Sequence, residues 1–243
     1  MENKVTHSLT DELQSFQTLW KNGFHTLWDE KRNQTGLEHF IKEDMKGKKV
    51  CLEIGCGGGQ WSKFIYNLNI FDKIYCVDAL SAEHNNFWEH VGEHAKDKIT
   101  YVKVKDFSLD FIENNTIDYV FSYDVWCHIS YSGQEEYLKN LKNKCIIDAR
   151  LCIMYADALK YSKSEPDNFE FQRQLWKQRN REFNNDEELA QILIDDCDSD
   201  PEPGRWYWIG IDKFIELCDK YNYNIIHRDL NIDKTNPITL FTI

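Results

Sequence analysis

Positive charge is scarce in this 243-residue sequence: 29 Lys and Arg stand against 41 Asp and Glu, a formal net charge of −12. A field of that sign repels phosphate backbones and anionic lipid, so neither nucleic acid nor membrane is expected as a partner. The nearest basic cluster is Arg173, Lys177, Arg179 and Arg181, which reads as a solvated helix face. None of the eight cysteines forms a C-x-x-C pair, so zinc-ribbon spacing is missing. His90 and His94 stand four apart but read as another solvated face, and no metal is expected. The first residues, Met1 to His7, lack the apolar stretch of a secretory leader. No run of about 18 apolar residues exists. Repeats and Gly/Ser linkers are also missing. The expectation is a reduced, cytoplasmic protein whose oligomeric state the sequence leaves open.

Hydrophobic residues make up 42% of the chain, enough for a sizeable core. Residues 1–46 read as a helical flank or lid, with Phe16, Leu19 and Trp20 on one helix face and Trp28, Leu37, Phe40 and Ile41 further on. The remainder, 47–243, reads as one domain. Short apolar runs at 49–54, 73–78, 99–104, 117–122 and 150–155 read as buried strands. Helical patterns lie between them at 59–68, 84–94 and 135–145. This alternation predicts βαβ units and a parallel sheet covered on both faces. Residues 158–205 break the rhythm and read as a partly helical insertion, ending at Pro201-Glu202-Pro203-Gly204. A helix at 212–221 and a pair of strands at 224–230 and 238–243 close the chain.

The first strand ends in Glu53-Ile54-Gly55-Cys56-Gly57-Gly58-Gly59. Such a turn lets backbone N–H groups approach a ligand closely. A dinucleotide fingerprint needs a small residue where Gln60 stands. Glu53 would repel a pyrophosphate but attract a cationic amino-acid group. Asp78, at the end of the second strand, can accept from ribose hydroxyls. Ala79 follows it. Asp106 can accept from an adenine amine, and Phe107 can pack on the ring.

These positions resemble the class I S-adenosylmethionine-dependent methyltransferases over roughly residues 48–157. The resemblance implies a Rossmann-like, doubly wound α/β fold with a seven-stranded sheet whose last strand is antiparallel. It implies S-adenosyl-L-methionine as cofactor and S-adenosyl-L-homocysteine as product. Glu53, Gly55, Cys56 and Gly57 would then serve the methionine end, Asp78 and Ala79 the ribose, and Asp106 and Phe107 the adenine.

Beyond the fourth strand stands Ser122-Tyr123-Asp124-Val125-Trp126-Cys127-His128. In open α/β sheets the chemistry lies past the carboxyl ends of the strands. His128 is the candidate general base, since its reference pKa is about 6.5. Asp124 can orient it, touch the cofactor or act as base itself. Tyr123 matches a family position lining the methionine pocket. Arg205, Trp206 and Trp208 form a candidate acceptor wall. The stretches around His128 and these tryptophans are similar to bacterial methyltransferases of surface-polysaccharide and capsule pathways. That resemblance implies O-methylation of a small molecule such as a sugar or capsule precursor. A non-catalytic cofactor-binding module and a macromolecular methyltransferase are the alternatives. The Asn/Asp-Pro-Pro-aromatic motif of nitrogen methylation is absent, since Tyr123-Asp124-Val125-Trp126 occupies its place.

Overall fold

The computed structural model describes residues 34–178, 182–197 and 206–243. The expected helices before residue 34 lie outside that set, as do Arg179, Arg181 and Arg205. Elements are numbered here from the first described one.

Seven strands form one mixed sheet in the order β3-β2-β1-β4-β5-β7-β6. They are β1 (Val50–Ile54), β2 (Lys73–Asp78), β3 (Ile99–Lys103), β4 (Ile117–Ser122), β5 (Cys145–Met154), β6 (Asn224–His227) and β7 (Ile238–Thr242). β7 runs antiparallel to both neighbours, β5 and β6, and the other pairs are parallel. The fold is the Rossmann-like doubly wound sheet expected from the sequence.

Side chains alternate along each strand, so each face of the sheet needs its own cover. On one face Leu52, Val120 and Leu151 pack under α4 (Tyr131–Lys144) and α8 (Ile211–Lys220). On the other, Cys51, Cys76, Tyr119 and Cys152 meet α1 (Gln34–Asp44), α2 (Gln60–Asn67) and α3 (Phe87–Val91). Helix α1 earns its place there through Leu37 and Ile41, both fully buried. Asp44 at its end accepts from the Tyr119 hydroxyl at 3.0 Å and pairs with Arg150. Buried Asp118 accepts the Lys49 and Val50 N–H groups at 2.7 and 2.9 Å, fixing the start of β1.

Several boundaries differ from the sequence reading; the helix expected from residue 135 starts at Tyr131, and the strand expected to reach residue 230 ends at His227. The helix expected over 84–94 is α3 plus a 3₁₀ turn, Glu93–Asp97, broken at Gly92. His90 and His94 therefore do not share one helix, and His94 packs on Tyr66 at 5.5 Å. β5 begins at Cys145, five residues early, because a register irregularity opposite Ile117 and Tyr119 absorbs residues 146–149. The insertion holds three helices: α5 (Ala158–Ser164), α6 (Glu170–Gln178) and α7 (Asp186–Asp195). Asp157 and Asn185 cap α5 and α7 by accepting N–H groups three residues on. Phe169, Leu189 and Leu193 form with Trp208 a satellite core past the ends of β4 and β5. Arg173 pairs with Asp186 and Glu170, which accounts for one member of the basic cluster.

All eight cysteines are buried and unbridged. Among the described residues no helix is long and apolar enough to cross a membrane, and no cluster of metal-ligating side chains occurs.

Candidate active site

The strand order reverses direction between β1 and β4, and such a switch opens a crevice beyond the strands' carboxyl ends. Two turns line it: 55–59 after β1 and 123–128 after β4. They touch. A Cβ on Gly55 would lie 2.2 Å from a Val125 methyl, so only glycine fits there. Gly55, Gly57 and Gly59 all have positive φ (75°, 49° and 86°), the left-handed region that side chains disfavour. The Ser122 hydroxyl donates to the Ile54 carbonyl at 2.8 Å, tying the two strand ends together.

Asp78 stitches the glycine turn. Its carboxylate accepts from Gly57 N–H and from Leu80 N–H, both at 2.8 Å. Burial raises its pKa, while these bonds and the Asn85 side chain oppose the rise. Each carboxylate oxygen has further acceptor capacity, as a ribose diol requires. Ala79 packs half-buried beside it.

Glu53 lies beneath the same turn, only 3% exposed. Ser62 Oγ donates to it at 2.6 Å and Cys76 Sγ at 3.6 Å. Burial pushes its pKa up to about 8, with the Ser62 and Cys76 contacts opposing and the Asp78 charge adding to the rise. A buried carboxyl held by a hydroxyl and a thiol suits an incoming cation. Cys56 is buried too, and burial lifts its thiol well above the ordinary range. The glycines leave bare backbone around this carboxyl. Together these residues fit a ligand cationic at one end and carrying a ribose at the other.

The adenine pair is placed differently. Asp106 is exposed and its carboxylate accepts the Ser108 N–H at 2.9 Å. Hydrogen bonds from Ser108 hold its carboxyl below the ordinary value. Phe107 is buried against Tyr137, ring centroids 4.6 Å apart, so its ring fills the core under α4.

On the other turn, Tyr123 packs on Trp61 at 5.4 Å and donates its hydroxyl to Asp233 at 2.9 Å. Asp124 sits at φ 60° and accepts from the Cys127 thiol at 3.8 Å. His128 closes the 3₁₀ turn Trp126–His128 and meets the ring of Trp206 at 6.2 Å, nearly perpendicular. Trp206 contacts Trp208 at 5.2 Å and Tyr161 at 5.6 Å. Trp208 is buried, while Trp206 and Tyr161 keep partial exposure. The Tyr207 N–H donates to the Cys127 carbonyl at 2.7 Å, which holds this segment against the β4 turn. Thus Glu53, the glycines, Asp78, Tyr123, Asp124 and His128 lie at or just past the carboxyl ends of β1, β2 and β4, and Trp206 joins them through His128.

Sequence reading missed four contributors here. Ser62 and Cys76 hold Glu53, Tyr161 extends the aromatic wall, and Asp233 holds Tyr123. Only the last left a local sign, the turn-forming run Asp233-Lys234-Thr235-Asn236-Pro237.

The methyltransferase-domain family matches residues 52–153. No curated protein matches the chain in sequence. Solved structures do match in fold. The PH0226 protein of Pyrococcus horikoshii is 15% identical, with 93% of this chain and 97% of that one covered and a TM-score of 0.60. The 1,6-didemethyltoxoflavin-N1-methyltransferase of Burkholderia thailandensis is 10% identical, with 99% and 92% covered and a TM-score of 0.61. A SAM-dependent methyltransferase of Aquifex aeolicus is 14% identical, with 98% and 100% covered and a TM-score of 0.54. Residues 52–153 thus match a methyltransferase domain, and the chain shares the Rossmann-like fold of solved S-adenosylmethionine-dependent methyltransferases, with S-adenosylmethionine the cofactor that goes with such a domain.

Proposed function

We propose that this chain methylates a hydroxyl of a small molecule, a sugar or capsule-type precursor being the class the acceptor side suits. The contact of His128 with Trp206 beyond β4 carries this reading, because it sets a titratable base beside an aromatic wall. S-adenosylmethionine supplies a methyl group on a sulfonium, already a good leaving group. The protein's remaining work is alignment and removal of the hydroxyl proton.

Glu53 and the turn of Gly55, Cys56 and Gly57 hold the amino-acid end, and Asp78 with Ala79 the ribose. Asp106 and Phe107 stand next to the adenine end in sequence. Exposed Asp106 can meet a base edge, whereas the Phe107 ring is turned into the core under α4. Trp206 and Tyr161 stack the acceptor ring, with buried Trp208 behind them. Arg205 precedes this wall and would meet an acceptor's polar substituents. His128 takes the proton from the acceptor hydroxyl, and Asp124 orients it or the cofactor. The acidic balance of the chain supports a small acceptor over nucleic acid.

The test is transfer of labelled methyl from S-adenosylmethionine into nucleotide-sugar and capsule-precursor pools, read by mass spectrometry. Label in a small hydroxylated product supports the reading. Label confined to macromolecules, or to nitrogen, contradicts it.

A further inference from the structure

The loop between β6 and β7 reaches the site because β7 runs antiparallel, which brings its first residue, Ile238, beside Met154 at the end of β5. That loop is clamped twice. Asp229 accepts the Asn231 and Ile238 N–H groups and pairs with Lys160 of α5 at 2.6 Å. Asp233 turns one carboxylate oxygen on the loop itself: Oδ1 accepts from the Thr235 N–H at 2.8 Å, the Thr235 hydroxyl at 2.7 Å and the Asn236 N–H at 2.8 Å. Its Oδ2 is left for Tyr123, whose hydroxyl donates to it at 2.9 Å. Burial pushes the Asp233 carboxyl up, but the Thr235, Asn236 and Tyr123 bonds outweigh it and hold the group below its ordinary value. The carboxylate is therefore ionised wherever the protein works at neutral pH.

A phenol has one proton to donate. Once Tyr123 gives that proton to Asp233, its oxygen can only accept, and the neighbouring carboxylate enriches it in negative charge. The ring is also fixed, by Trp61 on α2. Tyr123 directly follows β4, beside the turn that Glu53 underlies.

We propose that Asp233 is a positioning residue that makes Tyr123 an acceptor-only, negatively polarised oxygen toward the cofactor's sulfonium, the charge that the methyl donor carries and the product lacks. The pair then favours the charged methyl donor over the neutral thioether product, and so assists product exchange. This rests on the cofactor reading above. Asp233 touches neither reactant in this account; it acts through Tyr123.

The experiment compares two ligands of the full chain by calorimetry. One is S-adenosylhomocysteine, neutral at sulfur. The other is sinefungin, which carries a protonated amine where the methyl donor carries its charge. Asp233→Asn keeps an oxygen for Thr235 and Asn236 but turns an amide toward Tyr123, reversing the polarity. Tyr123→Phe keeps the packing on Trp61 and leaves the loop bonds of Asp233 in place, so it serves if the first variant folds poorly. Either variant should weaken sinefungin about tenfold, the scale of a charge-assisted hydrogen bond, and change S-adenosylhomocysteine by less than about threefold. Equal losses for both ligands, or no loss for either, overturn the proposal. Binding of neither ligand by the unaltered protein removes the cofactor reading first, and this inference with it.

Discussion

The rings of His128 and Trp206 meet edge to face at 6.2 Å, across the boundary between the β4 turn and the segment that follows the helical insertion. The contact separates two roles that can be measured apart. His128→Ala should lower turnover by about 10²–10⁴, the range for loss of a general base, with cofactor binding kept. Trp206→Ala should raise the acceptor KM with little change in kcat, since stacking acts on the bound ground state as well. Unchanged turnover in the first variant moves the base to Asp124 or removes the need for one.

Glu53 gives the protein a defined pH response. Its carboxyl has an ordinary value of 4.5 and sits at about 8 in the folded chain. Between those values the folded state holds a proton that the unfolded state has released. Stability of the ligand-free protein from this group is therefore full below 4.5 and declines as pH rises toward 8. A bound ammonium reverses the preference and favours the ionised carboxylate, so S-adenosylhomocysteine affinity should rise with pH toward about 8. Urea unfolding and calorimetry across that window should show both slopes, and Glu53→Gln should flatten them. Identical slopes in the variant would assign the response elsewhere.

Gly55 is the position least tolerant of a side chain. Its φ of 75° disfavours alanine, and the added Cβ would lie 2.2–2.8 Å from three Val125 carbons. Gly55→Ala should cost about 2–4 kcal/mol, the backbone strain and the overpacking combined. Adding Val125→Ala should restore the steric share and leave the backbone share. Full recovery in the double variant would show that φ contributes nothing there.

The sheet was legible because its strands are short apolar runs separated by helical spacing, and all seven stand where such runs were expected, with β5 starting five residues early. The misplaced edges have local causes. Residues 146–149 fall between the expected helix at 135–145 and the expected strand at 150–155, and instead belong to β5 through its register irregularity. Gly92 cuts an amphipathic run that otherwise continues. The residues of the proposed cofactor side could be placed for the same reason as the sheet: Gly55, Gly57 and Asp78 lie at strand ends, where position along the strand fixes position in space. The residues of the proposed acceptor side could be related to one another only in part. Tyr161 and Asp233 reach the site through an insertion and an antiparallel return, and no sequence spacing relates them to His128. Phe107 illustrates the opposite failure: its neighbour Asp106 faces solvent while its own ring turns into the core.

The central claim is that the turn at 55–59, clasped by Asp78, holds the adenosyl cofactor. Its most direct test is the thermal unfolding of the protein with S-adenosylhomocysteine. At about 100 times Kd the unaltered protein should gain about 2.7 kcal/mol of stability by mass action. Asp78→Ala should fold, with the Gly57 and Leu80 N–H groups left to water, and show no such gain. No stabilisation of the unaltered protein at saturating ligand, or an equal gain in Asp78→Ala, would contradict the account.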